Sequence, residues 1–296
     1  MKSKKTLVVC SDAGGANCLA SYIKHKKIKF FAILDGSAKK IFRDYFGKKL
    51  KTLSLKNGLK YAEHIITATS WKSNLEKKVI KFAKKDKIKT TTLLDHWVNY
   101  KQRFILNGKL ELPNEMIVQD EYAEKLVYKY FKGVKIIRVP NYYLKDNIKM
   151  LKYFKKEKKN NFLYLTEPIK SHYSRGNLFE NKRDYNEFDS LKFFLKNINC
   201  ISKNIDKIVL RLHPSEKKSK YNLILDKFSF LPIQISKDKP LVKDIGKSSA
   251  IFGCETVAMV LALMAKKRVI CTIPPISRCS CILPYKSIEH MRDLVN

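Results

Sequence analysis

A chain of 296 residues has room for two α/β domains. Its 45% hydrophobic and 30% charged residues, with only 10 Gly and 9 Pro, exclude a disordered, collagen-like or disulfide-stapled scaffold. The 61 basic residues against 27 acidic ones give a net charge of +34, with Lys outnumbering Arg 52 to 9. That excess either draws the chain to polyanions or reflects lysine-rich coding of solvated positions, and so few arginines argue against nucleic acid as a partner read base by base.

At the amino end, Lys2, Lys4 and Lys5 precede an apolar run that Ser11 and Asp12 stop after residue 10. This is shorter than the roughly 7–15 apolar residues of a secretory signal, so 6–10 reads as a first strand. Further β-rich runs at 30–34, 64–69, 90–94, 116–119 and 135–139 alternate with amphipathic stretches at 16–24, 38–45, 74–84 and 121–131. This is the pattern of βα units around a parallel sheet. Residues 142–154 form a linking helix, and the polar run 155–161 separates a first domain, residues 1–154, from a second, 162–296. The second series has strands at 162–165, 207–212, 232–236, 250–253 and 268–273, with helices at 189–203, 241–247 and 255–266. The expected fold class is therefore α/β, with two Rossmann-like domains facing each other across a cleft.

In open parallel sheets ligands sit beyond the carboxyl ends of the strands, which directs attention to the polar groups there. After the first strand, Ser11-Asp12-Ala13-Gly14-Gly15-Ala16-Asn17 forms a tight turn into a helix. Asp12 either caps that helix or serves as a base, while Gly14, Gly15 and Asn17 allow close approach of an acceptor. After the fourth strand come Asp95, His96 and Trp97. Asp95 suits a general base, His96 a group that tunes it or moves protons, and Trp97 an acceptor contact; the alternative is a buried Asp-His pair that holds a loop. Asp120-Glu121 reads as the acidic first turn of a helix.

In the second half, Arg211, His213, Pro214 and Ser215 close the strand at 207–212, and proline fixes the turn that aims His213. Arg211 and His213 suit the charge of a leaving phosphate. Ser248, Ser249, Gly253, Glu255 and Thr256 flank the next strand and open an apolar helix whose first turn suits a phosphate, with Glu255 accepting from ribose hydroxyls. No Asp-x-Asp, Gly-x-Ser-x-Gly or His-Glu-x-x-His motif occurs, so metal-independent transfer is preferred and no metal or cofactor is expected beyond a nucleotide-sugar substrate. The seven cysteines contain no Cys-x-x-Cys pair and read as reduced thiols, with Cys279 and Cys281 close enough in sequence to pair or react. The longest apolar run, 257–265, falls short of the roughly 20 residues of a membrane span, which points to a cytoplasmic protein with peripheral contact to anionic membrane.

The layout resembles the GT-B glycosyltransferases, and the resemblance implies that 1–154 is an acceptor domain and 162–296 a nucleotide-sugar domain. His213-Pro214 after a second-domain strand, with Ser248, Ser249 and Thr256 further on, is similar to the His-Pro and Ser/Thr motifs of bacterial sialyltransferases and capsule-polymerising enzymes. The resemblance implies a CMP-activated acidic sugar as donor, a surface glycan or glycolipid as acceptor, and His213 assisting the departing phosphate. Their Asp/Glu-Asp/Glu-Gly motif is not present in that form, and Asp12 with Gly14, or Asp95, stands in its place. Two other readings are an epimerase or hydrolase of the UDP-N-acetylglucosamine 2-epimerase type, and a noncatalytic polyanion binder.

Overall fold

The computed structural model describes residues 5–48, 50–70, 73–154, 160–173, 183–237 and 240–295. Contacts divide the chain into two compact units, Met1–Lys145 and Asp146–Asn296. Of the polar segment 155–161 expected to link the domains, 155–159 lie outside the described residues, and Asn161 already opens a strand.

In the first unit the elements run β1 (Thr6–Cys10), α1 (Ala13–His25), β2 (Phe30–Leu34), α2 (Ala38–Phe46), α3 (Leu55–Tyr61), β3 (His64–Thr67), α4 (Leu75–Lys85) and β4 (Lys89–Leu93). They continue with β5 (Ile105–Leu106), β6 (Lys109–Leu110), β7 (Glu115–Val118), α5 (Glu121–Tyr130) and β8 (Lys135–Arg138), and α6 (Tyr142–Leu151) carries the chain across the boundary into the second unit. Six strands form one parallel sheet in the order β2-β1-β3-β4-β7-β8. From β1 the chain winds one way to β2 and then the other way through β3, so the topological switch lies between β1 and β3.

The period of two along β1 sorts its side chains to opposite faces. Val8 and Cys10 pack with Ala16, Leu19 and Phe42 of α1 and α2. Leu7 and Val9 pack with Val79 and Ala83 of α4. Buried on both faces, the strand reads as an unbroken apolar run, and each such side chain contributes about 1.5–3 kcal/mol. β5 and β6 form a separate antiparallel hairpin. Its turn residues Asn107 and Gly108 have φ of 50° and 76°, the left-handed pair such a tight turn requires.

The second unit runs β9 (Asn161–Leu165), α7 (Ile169–Tyr173), α8 (Glu187–Asn197), β10 (Lys207–Arg211), α9 (Asn222–Lys227), β11 (Ile233–Ile235) and α10 (Leu241–Lys247). β12 (Ala250–Gly253), α11 (Val257–Met264), β13 (Arg268–Cys271), β14 (Glu289–His290) and α12 (Met291–Leu294) complete it. Its parallel sheet has the order β11-β10-β9-β12-β13-β14, with the switch between β9 and β12. Phe162 and Tyr164 on one face of β9 pack against Leu191, Phe194 and Leu195 of α8. The helix expected from residue 255 starts at Val257, because Thr256 has extended backbone and caps it through the Ala258 amide.

Candidate functional site

Each sheet gathers polar groups at the carboxyl side of its switch point. In the first unit, Asp12 occupies the N-cap of α1 with extended backbone, and its side chain makes no capping bond. Its carboxylate instead lies toward Gly14, where an added Cβ would sit 3.8 Å from Asp12 Oδ2 and 2.7 Å from Asp95 Oδ2. Two carboxylates thus converge over one glycine that leaves room for them. Gly15 fills a different need: a Cβ there would lie 2.7 Å from the Ala68 Cβ and 3.2 Å from the Thr69 carbonyl oxygen, so the glycine lets α1 pack closely on the end of β3.

Asp95, read from sequence as a general base or as half of a buried Asp-His pair, is a buried carboxylate with two partners. Its Oδ1 accepts from Thr69 Oγ1 at 2.8 Å and from Arg103 Nη1 at 3.1 Å, and the Asp95 and Arg103 side chains are 6% and 5% exposed. Arg103 is held in turn by the Val98 carbonyl and by Thr69 Oγ1. The His96 Nδ1 accepts from the Trp97 amide, and burial together with the Arg103 charge lowers its pKa to about 4. The ring is therefore neutral at pH 7. The Trp97 indole N–H, expected to meet an acceptor, donates to both Asp120 oxygens at 2.9 and 3.1 Å while Asp120 caps α5. Asn17 donates back to the Ala13 carbonyl within α1.

Behind this pair, Ser11 Oγ donates to Glu76 Oε1 at 2.6 Å. Glu76 is 2% exposed, its Oε2 has no partner, and burial raises its carboxyl to about 7 in spite of the Ser11 bond.

In the second unit, β10 ends in a turn closed by the Glu216 amide on the His213 carbonyl at 2.9 Å, with Pro214 at the position whose φ proline presets. The Ser215 amide donates to His213 Nδ1 at 3.2 Å, and Ser215 Oγ lies 2.8 Å from it. With Nδ1 accepting, the proton of the neutral ring is on Nε2. Thr166, just past β9, joins this turn: its hydroxyl donates to Glu216 Oε2 and accepts from the His213 amide at 2.9 Å. Lys220 and the Tyr221 hydroxyl hold the other Glu216 oxygen at 2.6 and 2.8 Å, and Lys220 also pairs with Glu187.

The next residue, Glu167, reaches the opposite side of the switch point. Its Oε1 accepts from the Glu255 amide at 2.6 Å and the Cys254 amide at 3.2 Å, so the amides after Gly253 expected to meet a phosphate carry a carboxyl of the chain itself. Burial, helped by the neighbouring Glu255 charge, raises the Glu167 carboxyl to about 8 against the pull of those amides. Glu255 is turned inward: Arg183 Nη2 donates to both of its oxygens at 2.6 and 2.7 Å, and the two side chains are 6% and 5% exposed. Its expected contact with ribose would require leaving that pair. Thr256 caps α11 through the Ala258 amide.

Arg211 Nη1 bonds Asp244 Oδ2 at 2.6 Å and is an element of the frame, not a bare cation. Ser248 and Ser249 precede β12 and lie at the amino end of the sheet, away from His213. Ser249 bonds the carbonyl of Asn161, the first residue of β9, and Ser248 bonds the Asp244 carbonyl. The sequence reading missed Arg103, Thr69, Glu76, Thr166, Glu167, Arg183 and Glu216. Thr166 and Glu167 carried a usable signal, since they directly follow a strand. Among the described residues no group of three or more His, Cys, Asp or Glu is placed to hold a metal ion, and no helix is long and apolar enough to cross a membrane.

No protein-family model and no curated protein matches the sequence. The fold has clear counterparts among solved structures. A UDP-GlcNAc 2-epimerase from Neisseria meningitidis bound to UDP-GlcNAc matches 95% of this chain and 84% of its own, with a TM-score of 0.62 at 13% identity. A UDP-N-acetylglucosamine 2-epimerase from Rickettsia bellii matches 90% and 78%, with a TM-score of 0.59 at 12% identity. The glycosyltransferase SnogD from Streptomyces nogalater matches 91% and 81%, with a TM-score of 0.52 at 10% identity. The chain shares with them an α/β fold of two Rossmann-like domains, the GT-B fold.

Proposed function

We propose that the chain is a sugar-nucleotide enzyme, a metal-independent glycosyltransferase that moves a CMP-activated acidic sugar onto a bacterial surface-glycan acceptor. The observation that carries this reading is the Thr166–Glu167 bridge, which ties the His213 turn and the β12–α11 turn together at the switch point of the second sheet. That is where an open α/β sheet binds a nucleotide. The folds of the epimerase and glycosyltransferase structures lend support, since their names refer to sugar-nucleotide and glycosyl chemistry.

In this reading the second unit holds the nucleotide. The His213 Nε2–H donates to the phosphate as the bond from the anomeric carbon to the phosphate oxygen breaks. In the first unit Asp12 takes the proton of the acceptor hydroxyl whose oxygen forms the new bond, and Asp95, fixed by Arg103 and Thr69, positions that hydroxyl over Gly14. The lysine excess keeps the enzyme at the cytoplasmic face of an anionic membrane that carries glycolipid acceptors.

A second reading, epimerisation or hydrolysis of a UDP-sugar, is favoured by the higher TM-scores of the epimerase structures. Incubation with CMP-N-acetylneuraminate or UDP-N-acetylglucosamine, with and without a glycan acceptor, separates the two. Acceptor-dependent release of CMP supports transfer; acceptor-independent conversion of the UDP-sugar supports the second reading. Inertness toward both, with salt-sensitive binding to any polyanion, would leave a noncatalytic binder.

A further inference from the structure

We infer that the cavity formed by the β13–β14 crossover of the second unit is a pocket for an acidic sugar, a ring bearing one carboxylate or phosphate. The cavity has a volume of about 400 Å³, within the range of small-ligand sites. Leu283 and Ile288, 6% and 5% exposed, supply an apolar floor, while Tyr285, Lys286, His290 and Cys281 line the rest. Ring faces with polar edges match a pyranose, whose C–H faces stack on aromatic planes and whose hydroxyls take hydrogen bonds.

The charge of the lining selects the ligand further. Among the described residues no carboxylate lines the cavity. Glu289, next to His290, is tied to Arg268 at 2.7 and 2.8 Å, and alternation along β14 sends it to the opposite face. Lys286 is exposed at the rim, so the pocket presents positive charge to whatever enters.

The location connects this pocket to the proposed donor site. His290 stands in register with Cys271, and the Cys271 and Cys281 thiols both donate to the Cys254 carbonyl at 3.4 Å. One wall of the cavity is thus bonded to the turn whose amides hold Glu167, on the carboxyl edge of the sheet that also carries the His213 turn. The choice of a sugar as the ligand rests on the sugar-nucleotide reading; the pocket and its charge do not.

The test is a titration of the full chain with N-acetylneuraminic acid, glucose 6-phosphate and neutral N-acetylglucosamine, followed by saturation-transfer NMR at moderate salt. Wild type should bind at least one acidic sugar about tenfold more tightly than the neutral one, the size of one charge-assisted contact. Which acidic sugar binds identifies carboxylate or phosphate. Lys286→Ala should remove that preference, whereas Lys192→Ala, exposed on α8, should not. Bound sugar should also slow iodoacetamide labelling of Cys281 while leaving exposed Cys200 unchanged. Absence of binding at millimolar concentration, or binding indifferent to Lys286→Ala, would overturn the inference. A nucleotide thermal shift on the same protein separates the two claims: a response to nucleotide without acidic-sugar binding sinks this pocket alone, and the reverse sinks the donor reading and leaves the pocket.

Discussion

The carboxyl edge of the first sheet settles its two deeply buried acids, Asp95 and Glu76, on hydroxyls and a single guanidinium, whereas that of the second wires its acids to backbone amides and to three separate cations. Asp95 shares Thr69 and Arg103, and Glu76 has only Ser11, so Asp12 and Asp95 Oδ2 still meet over Gly14. Across the second edge, Glu255 has Arg183, Glu216 and Glu187 have Lys220, Asp244 has Arg211, and Glu167 has two amides. In the proposed mechanism the first edge supplies the carboxylates that handle the proton. The second is a neutralised frame that fixes the His213 turn. Similar strand topologies thus carry different chemistry.

Breaking one buried pair in each unit tests that contrast most strongly. Arg183→Met leaves Glu255 buried with only the Ile282 amide, and removal of one partner of a buried ion pair costs about 3–5 kcal/mol. Arg103→Met should cost less, because Asp95 keeps the Thr69 hydroxyl. Hydrogen-exchange protection of β12 and β4 peptides, read against urea, compares the two losses.

Gly14→Ala comes next in size. A Cβ 2.7 Å from Asp95 Oδ2 forces the carboxylate aside, at about 1–3 kcal/mol in stability, and should lower turnover with little change in nucleotide binding. An equal loss of nucleotide affinity would contradict the division of labour between the units.

The effect of pH follows from Glu76 and Glu167. Both carboxyls hold their protons more tightly folded than unfolded, so their contribution favours folding below the ordinary glutamate value of 4.5. It is lost as pH rises through about 7 for Glu76 and about 8 for Glu167. Between those limits each group lowers stability by about 1.4 kcal/mol per pH unit. Glu76→Gln should flatten the curve up to about pH 7 and Glu167→Gln up to about pH 8, measured by urea unfolding across pH. The smallest expected effect is that of Ser215→Ala, which loosens His213 and should weaken nucleotide binding by about 0.5–1.5 kcal/mol.

Much of the fold was legible because its signals are local. The short apolar run of β1, stopped by Ser11 and Asp12, and the apolar spacing of α1 and α4 fix strands and helices to within a few residues, and Pro214 marks the His213 turn. The Asn107-Gly108 hairpin carried an equally local signal that the reading left unused. The partners of the acids were not legible. Arg183 meets Glu255 across 72 residues, and Ser11 meets Glu76 across 65, contacts that only the sheet order creates. The scarcity of arginine held a clue: among the described residues Arg103, Arg138, Arg183, Arg211 and Arg268 form ion pairs with carboxylates, a use that suits the guanidinium fork. Ser248 and Ser249 were misplaced for a simpler reason, since residues that precede a strand lie at its amino end.

The most direct test of the central claim is a thermal-shift comparison of CMP, CDP, UDP, GDP and ADP on wild type and His213→Ala at moderate salt. The sugar-nucleotide account predicts selective stabilisation by one nucleotide, CMP for the transferase reading, that His213→Ala abolishes. Equal stabilisation by all five, or a selective shift that His213→Ala leaves intact, would contradict it.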